Sequence, residues 1–301
     1  MSNFLITGGS GLLGVNWATH MNGVHSINLG IHSRKIEISN ASVTDVDLES
    51  VSAISRVLEA LDIDTVVNCA AMTGVEDCEL APELANHVNV KLATNVAMAA
   101  KGYGAKLVQI SSDHLFDGSS RMMTENDLVM PINVYAKTKA NAEAEVLSIL
   151  PSALVIRTNF YGWGTSYRTS FSDAILASLR ANRAIKLFDD IFYSPILIDV
   201  LVDAIHILLQ KGETGVFNIA GDQRLSKFDF GREVAAVYGF NPALIGRDKF
   251  SNRPDLVRRP FEMSLSTKKI CSILGHQIGG VREHLIRMSQ ISRRPQALTI
   301  L

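Results

Sequence analysis

Three glycines at intervals of three, Gly8, Gly11 and Gly14, follow a short apolar run, Phe4-Leu5-Ile6, that ends at Thr7. An apolar helical pattern begins directly after them. A glycine at such a turn permits a positive φ, a second lets backbone N–H groups approach an anion, and a third lets the helix lie tightly on the strand. The anion then sits at the positive end of the helix dipole. Residues 3–14 therefore read as strand, dinucleotide-binding turn and first helical turn, although glycine triplets also occur in ordinary strand-to-helix turns.

The pattern repeats along the first half of the chain. Apolar strand-like runs at Val24–Leu29, Asp64–Ala71, Ala105–Ser111 and Ala153–Thr158 alternate with helical stretches at Leu12–Met21, Ser50–Leu61, Glu83–Lys101 and Val134–Ile149. Such alternation predicts right-handed crossovers and a doubly wound parallel sheet, the Rossmann α/β class, over residues 1–158. Past Thr158 the alternation fades. Helices at Thr169–Asn182 and Lys227–Tyr238 and a strand at Val216–Ala220 predict a smaller α+β region, residues 159–301, mainly for substrate binding and able to return in part to the first domain. Its place is over the sheet's carboxyl edge. The stretch from Ser289 to Leu301, with Arg293-Arg294-Pro295, is expected to fray.

Bulk properties narrow the partners. A formal charge of −1 gives no basic footprint for nucleic acid. The apolar run Pro195–Leu209 is broken by Asp199, Asp203 and His206 and is too short to span a bilayer. No secretory signal is evident, and three widely spaced cysteines, Cys69, Cys78 and Cys271, suit a reducing cytoplasm and lack metal-ligand spacing. A small-molecule ligand and a cytoplasmic location are expected, with no metal.

The second strand tests which dinucleotide. No Asp or Glu occurs before Glu37, whereas Ile31-His32-Ser33-Arg34-Lys35 follows that strand. Arg34, helped by Ser33 and Lys35, can clamp a 2′-phosphate, which favours NADPH with NADH tolerated; alternatively these are solvated loop charges. Asp47 and Leu48, after a third strand, can hold the adenine amino group and ring, or Asp47 can cap the next helix.

Two segments carry the chemistry. Tyr135 and Lys139, four residues apart at a helix start, share one face, so their heads can meet; Lys137 points elsewhere. A carbonyl reduction needs an acid at the oxygen, and a phenol of pKa about 10 is helped by an ammonium that favours the phenolate. Ser111-Ser112 close an apolar strand at the carboxyl edge, where a hydroxyl can polarise a carbonyl or merely cap a turn.

These segments, in this order, resemble the extended short-chain dehydrogenase/reductase superfamily, and within it the dTDP-4-dehydrorhamnose reductase family. The resemblance is carried by Thr7-Gly-Gly-Ser-Gly-Leu-Leu-Gly14, Asn68-Cys-Ala-Ala-Met-Thr73, Pro82-Glu-Leu-Ala-Asn-His-Val-Asn89, Ser111-Ser-Asp-His-Leu-Phe-Asp-Gly118, Pro131-Ile-Asn-Val-Tyr-Ala-Lys-Thr-Lys139, Ile156-Arg-Thr158 and Arg259-Pro260 with Leu265-Ser-Thr-Lys268. It implies that Ser112, Tyr135 and Lys139 are catalytic, and that Tyr135 and Lys139 also contact the cofactor, Lys139 at the nicotinamide ribose. It places Gly8, Gly11, Leu12 and Leu13 around the diphosphate, Ala70, Ala71 and Thr73 between adenine and nicotinamide, and Asn89 as a brace. The reaction implied is NADPH-dependent reduction of the 4-keto group of a nucleotide-activated 6-deoxy sugar, by a homodimer, for cell-surface polysaccharide.

Asp113, His114, Asn159, Trp163 and Arg259 fall on the sugar-nucleotide side. His114 either contacts a sugar hydroxyl or packs, and Trp163 and Tyr167 either stack on a ligand or join the core. The family usually has Tyr where this chain has His114, and Thr or Ser where it has Ile196. Two alternatives remain open: an epimerase or dehydratase that keeps its cofactor, and a non-catalytic NADP-binding subunit like the family's regulatory branch, which partners methionine adenosyltransferase.

Overall fold

A computed structural model describes residues 1–39, 41–291 and 297–299. The first half runs β1 (Asn3–Thr7), α1 (Leu12–His20), β2 (Ser26–Ile31), β3 (Ile36–Ile38), β4 (Ser42–Asp45), α2 (Val51–Ala60), β5 (Thr65–Asn68), α3 (Val75–Leu80), α4 (Pro82–Asn86), α5 (Leu92–Tyr103), β6 (Lys106–Ile110), α6 (Val134–Ile149) and β7 (Leu154–Arg157). The second half runs β8 (Phe160–Tyr161), α7 (Phe171–Arg180), β9 (Ile185–Phe188), β10 (Phe192–Tyr193), β11 (Ile196–Leu197), α8 (Ile198–Lys211), β12 (Gly215–Asn218), β13 (Leu225–Ser226), α9 (Lys227–Val237), β14 (Ile245–Asp248), α10 (Lys268–Leu274), α11 (Val281–Gln290) and β15 (Ala297–Thr299).

Seven strands form one parallel sheet in the order β12-β7-β6-β5-β1-β2-β4. The chain leaves β1 toward β4 and then returns through β5 toward β12, so strand order reverses between β1 and β5. Ligands of such sheets bind outside the carboxyl ends at that switch. Apolar side chains of α1 and α8 cover one face together with Trp17, Leu29 and Phe217, while α2, α5 and α6 cover the other with Leu58, Val96 and Val146. A third core under the carboxyl edge joins Trp163, Leu176, Phe230 and Leu285 from the second half.

The expected helix at Val134–Ile149 has those limits, because Asn133 caps it by accepting from the Ala136 N–H at 2.9 Å. Capping boxes at Ser170 with Asp173 and Ser226 with Asp229 start α7 and α9. The second half holds more than the sequence reading located. The apolar run Pro195–Leu209 contains β11 and most of the amphipathic α8, and among the described residues no helix is long and apolar enough to cross a membrane. The expectation of a frayed end is corrected in two places: α11 continues to Gln290, and Ala297–Thr299 pairs antiparallel with β3, Ala297 opposite Ile38. Arg293-Arg294-Pro295 lies outside the described residues.

Helices α1 and α8 are clasped by a charge cluster. His20 Nε2 lies 2.6 Å from Asp203 and Nδ1 3.2 Å from Asp199, and Arg287 holds the other Asp203 oxygen at 2.8 Å. Burial disfavours the imidazolium, but the two carboxylates outweigh it and lift His20 to about 9. A folded-state pKa above the unfolded value gives stability that is full below about 6.5 and is lost as pH rises through 9. Urea unfolding of the wild type should lose up to about 3 kcal/mol over that window relative to His20→Gln. Parallel pH profiles of the two proteins would contradict the clasp.

Candidate active site

The glycine turn is built by close packing. Gly8 has φ +65°, and a Cβ there would stand 2.8 Å from the Ala70 Cα and N; one on Gly14 would stand 2.8 Å from the Gly9 carbonyl oxygen. The Gly11 N–H donates to the Gly8 carbonyl at 2.8 Å, and Gly11 is the α1 N-cap with no side chain to satisfy the first-turn N–H groups. Those of Leu12, Leu13 and Gly14 have no intrahelical acceptor and stand at the positive end of the helix dipole, where an anion can be received. The Leu13 side chain itself is core, so only its backbone can serve a diphosphate. Beneath the turn, Thr7 donates to Asn68 at 2.5 Å and Asn68 to Gln109 at 2.8 Å, a buried chain across β1, β5 and β6 that no local signal announced.

A cavity of about 240 Å³ opens beside this turn, between Gly8, Ser33, Arg34, Asp47, Leu48 and Ala70-Ala71. Arg34 lies with its guanidinium 5.1 Å from the Tyr167 ring centroid and, among the described residues, forms no ion pair. Lys35 does not help it, since its ammonium pairs with Asp45. Asp47 is not the α2 cap. It accepts from the Glu49 N–H at 3.0 Å, Ser50 caps α2, and Asn95 fixes the turn by donating to the Leu48 and Glu49 carbonyls at 2.9 and 3.0 Å. Ala70 and Ala71 line this cavity, whereas Thr73 lies exposed on the loop beyond it.

Asn89 sits in a π-helical turn, His87–Lys91, between α4 and α5. Its side chain accepts from the Met72 N–H at 2.7 Å and donates to the Met72 carbonyl at 3.0 Å and to Thr138 at 2.8 Å. It is buried, and it braces the loop after β5 against α6. The extra residue of a π turn re-aims one side chain, a common device at functional sites.

Tyr135 hydrogen-bonds with Ser112, and Lys139 lies one turn along α6 from Tyr135 and reaches the end of β6; all three are buried. Burial raises the Tyr135 phenol to about 12, partly offset by a hydrogen bond with Ser112, with Asp113 and Cys78 adding to the rise. Burial also brings the Lys139 ammonium down to about 8. Lys139 Nζ donates to the Ile110 carbonyl at 2.7 Å. The expected lowering of the phenol by this lysine is therefore corrected: burial dominates, and Tyr135 is a protonated donor at neutral pH. Ser112 Oγ accepts from the His114 N–H at 3.2 Å and lies 3.3 Å from Asp113 Oδ1.

Around this trio, Asn159 donates to Asp113 at 2.7 Å, and burial raises the Asp113 carboxyl to about 6. The His114 ring meets Tyr135 edge-on at 5.5 Å, and burial, with Lys227 and Arg259, holds it neutral with a pKa near 3. Arg259 reaches the site electrostatically, but its guanidinium pairs with Glu76. Trp163 is corrected: it is 3% exposed, packed edge-on to Tyr238, and its carbonyl accepts from Asn16. It belongs to the third core and presents no face to a ligand. Lys227, the first residue of α9, was not singled out by the sequence, and its ammonium acts on both Asp113 and His114.

A glycine-turn cavity at the reversal of a parallel sheet, beside a buried Ser-Tyr-Lys set, defines an extended short-chain dehydrogenase/reductase. Within that class, the family described as RmlD substrate binding domain matches residues 2–293, and the chain belongs to it. It is 27% identical over 292 residues to the dTDP-4-dehydrorhamnose reductase of Aggregatibacter actinomycetemcomitans, covering 92% of this chain and 95% of that one. It is 28% identical to a Haloferax volcanii protein named "Probable low-salt glycan biosynthesis reductase Agl14", covering 90% and 91%. The crystal structure of a dTDP-4-dehydrorhamnose reductase from Clostridium acetobutylicum superposes with TM-score 0.81 at 26% identity, covering 96% of this chain and 99% of that one.

Proposed function

We propose that the protein is an NADPH-dependent reductase of the 4-keto group of a nucleotide-activated 6-deoxy sugar. The observation that carries this is the meeting of Ser112, Tyr135 and Lys139 beside the carboxyl ends of β5 and β6, next to the dinucleotide cavity. Gly8, Gly11 and the first amides of α1 hold the diphosphate, Arg34 and Ser33 the 2′-phosphate, and Asp47 and Leu48 the adenine. NADPH, when bound, supplies the hydride. Ser112 donates a hydrogen bond to the keto oxygen and holds it against Tyr135. Tyr135 then gives its phenolic proton to that oxygen, and Lys139, on the same face of α6, is placed to hold the nicotinamide ribose.

Residues 1–158 chiefly bind the cofactor and 159–301 chiefly the sugar nucleotide, and the enzyme works as a cytoplasmic homodimer. The test is NADPH oxidation with a panel of dTDP-, GDP-, UDP- and CDP-linked 4-keto-6-deoxy sugars. Turnover with one member supports the reading; cofactor binding without oxidation across the panel contradicts it and points to a recycled cofactor or a regulatory role. Arg34 predicts the cofactor choice. Replacing it with leucine should cost NADPH affinity about tenfold or more, since a charge-assisted bond to phosphate contributes roughly 1.5–3 kcal/mol, while leaving NADH affinity nearly unchanged. Equal losses for both cofactors in a binding titration would contradict the assignment.

A further inference from the structure

Beyond the trio, the site holds a cation that the proposed chemistry does not use. Lys227 opens α9 with its Nζ 5.5 Å from the Tyr193 ring centroid and 5.0 Å from that of Phe171. Among the described residues it forms no ion pair. Burial and Arg259 work against its charge while Asp113 sustains it. Near it, two buried polar atoms have no hydrogen-bond partner among the described residues: the Tyr193 hydroxyl and the His114 Nδ1. Folded proteins pair nearly all such groups, so two orphans near one cation mark a place for a polar ligand.

We propose that Lys227 sets substrate specificity at the sugar end of the site, its ammonium donating to, and Asp113 accepting from, ring hydroxyls next to the ketone. Asp113 directly follows Ser112 in the chain, and its Oδ2 is steadied by Asn159 at 2.7 Å, which fixes it as an acceptor. A carboxylate and an ammonium that act on each other across one site without pairing offer the complementary groups that a diol needs, each sugar hydroxyl both donating and accepting. The rings of Tyr193 and Phe171 face the ammonium itself and attract it without neutralising its charge. This assignment rests on the keto-sugar reductase reading.

The test compares wild type, Lys227→Met and Lys227→Arg on dTDP-4-keto-6-deoxyglucose and its 3-deoxy analogue, with dTDP and NADPH binding measured alongside. Lys227→Met should raise KM for the hydroxylated sugar about tenfold or more and affect the deoxy analogue several-fold less. Affinities for dTDP and NADPH should stay within about twofold of wild type, which also reports an intact fold. Lys227→Arg should recover part of the loss. An unchanged KM overturns the proposal, as does a parallel fall in dTDP affinity, which would place the lysine on the diphosphate. Absence of wild-type turnover across the whole panel of nucleotide-linked keto sugars overturns the reductase reading, and this assignment with it.

Discussion

Tyr135→Phe should reduce keto-sugar turnover by about 10²- to 10⁴-fold, the usual contribution of a positioned general acid, while NADPH binding and thermal unfolding stay close to wild type. The substitution removes one oxygen from a side chain 9% exposed in a small apolar cluster with Val75, Cys78 and Ala85, so the packing survives. The phenol stays protonated at neutral pH because it is buried, with a pKa near 12. No neighbouring group can replace it: His114 is held neutral far below neutral pH, and Lys139 is turned onto the Ile110 carbonyl. Loss confined to KM, with kcat preserved, would show that Tyr135 binds substrate without giving it a proton.

Arg157→Leu should destabilise the protein by about 3–5 kcal/mol. Arg157 on β7 meets Glu143 on α6 through Nε at 3.1 Å to both carboxylate oxygens and Nη2 at 2.8 Å, with both side chains buried and the guanidinium 5.6 Å from the Phe116 ring centroid. Removing one partner leaves a carboxylate in a dry interior. Replacing both, Arg157→Leu with Glu143→Leu, should recover most of that loss, because apolar side chains of similar size avoid the desolvation cost altogether. Urea midpoints of the three proteins decide it. If the double variant is as unstable as the single one, the pair acts through packing alone. The pair also ties the helix carrying Tyr135 and Lys139 to the sheet, so loss of stability and loss of turnover should run together in the single variant.

What the sequence disclosed follows from range. The turn at Gly8, the helix start at Val134 and the Tyr135–Lys139 face are set within a few residues, and each appears in the fold where its local chemistry puts it. The family resemblance extended that to Ser112. The second half resisted because its pairings join distant two-residue strands, β8 with β11 and β10 with β13, which carry no period to read. Trp163 in a glycine-rich loop looks the same in sequence whether it faces ligand or core, and tertiary packing sends it to the core. Lys227 follows an ordinary capping serine, Ser226, and nothing local distinguishes it from a solvated first-turn lysine. Asn89 was visible as a brace, but the π turn that aims it depends on where α5 packs.

The central claim is that this site delivers a hydride to a sugar ketone. The most direct measurement is single-turnover reaction with NADPH deuterated at the transferred nicotinamide position, followed by mass and proton spectra of the sugar product. One deuterium at C4 of a reduced sugar and release of one NADP⁺ per product are expected. A product without deuterium at C4, or a sugar altered while the cofactor stays bound and reduced, would contradict it.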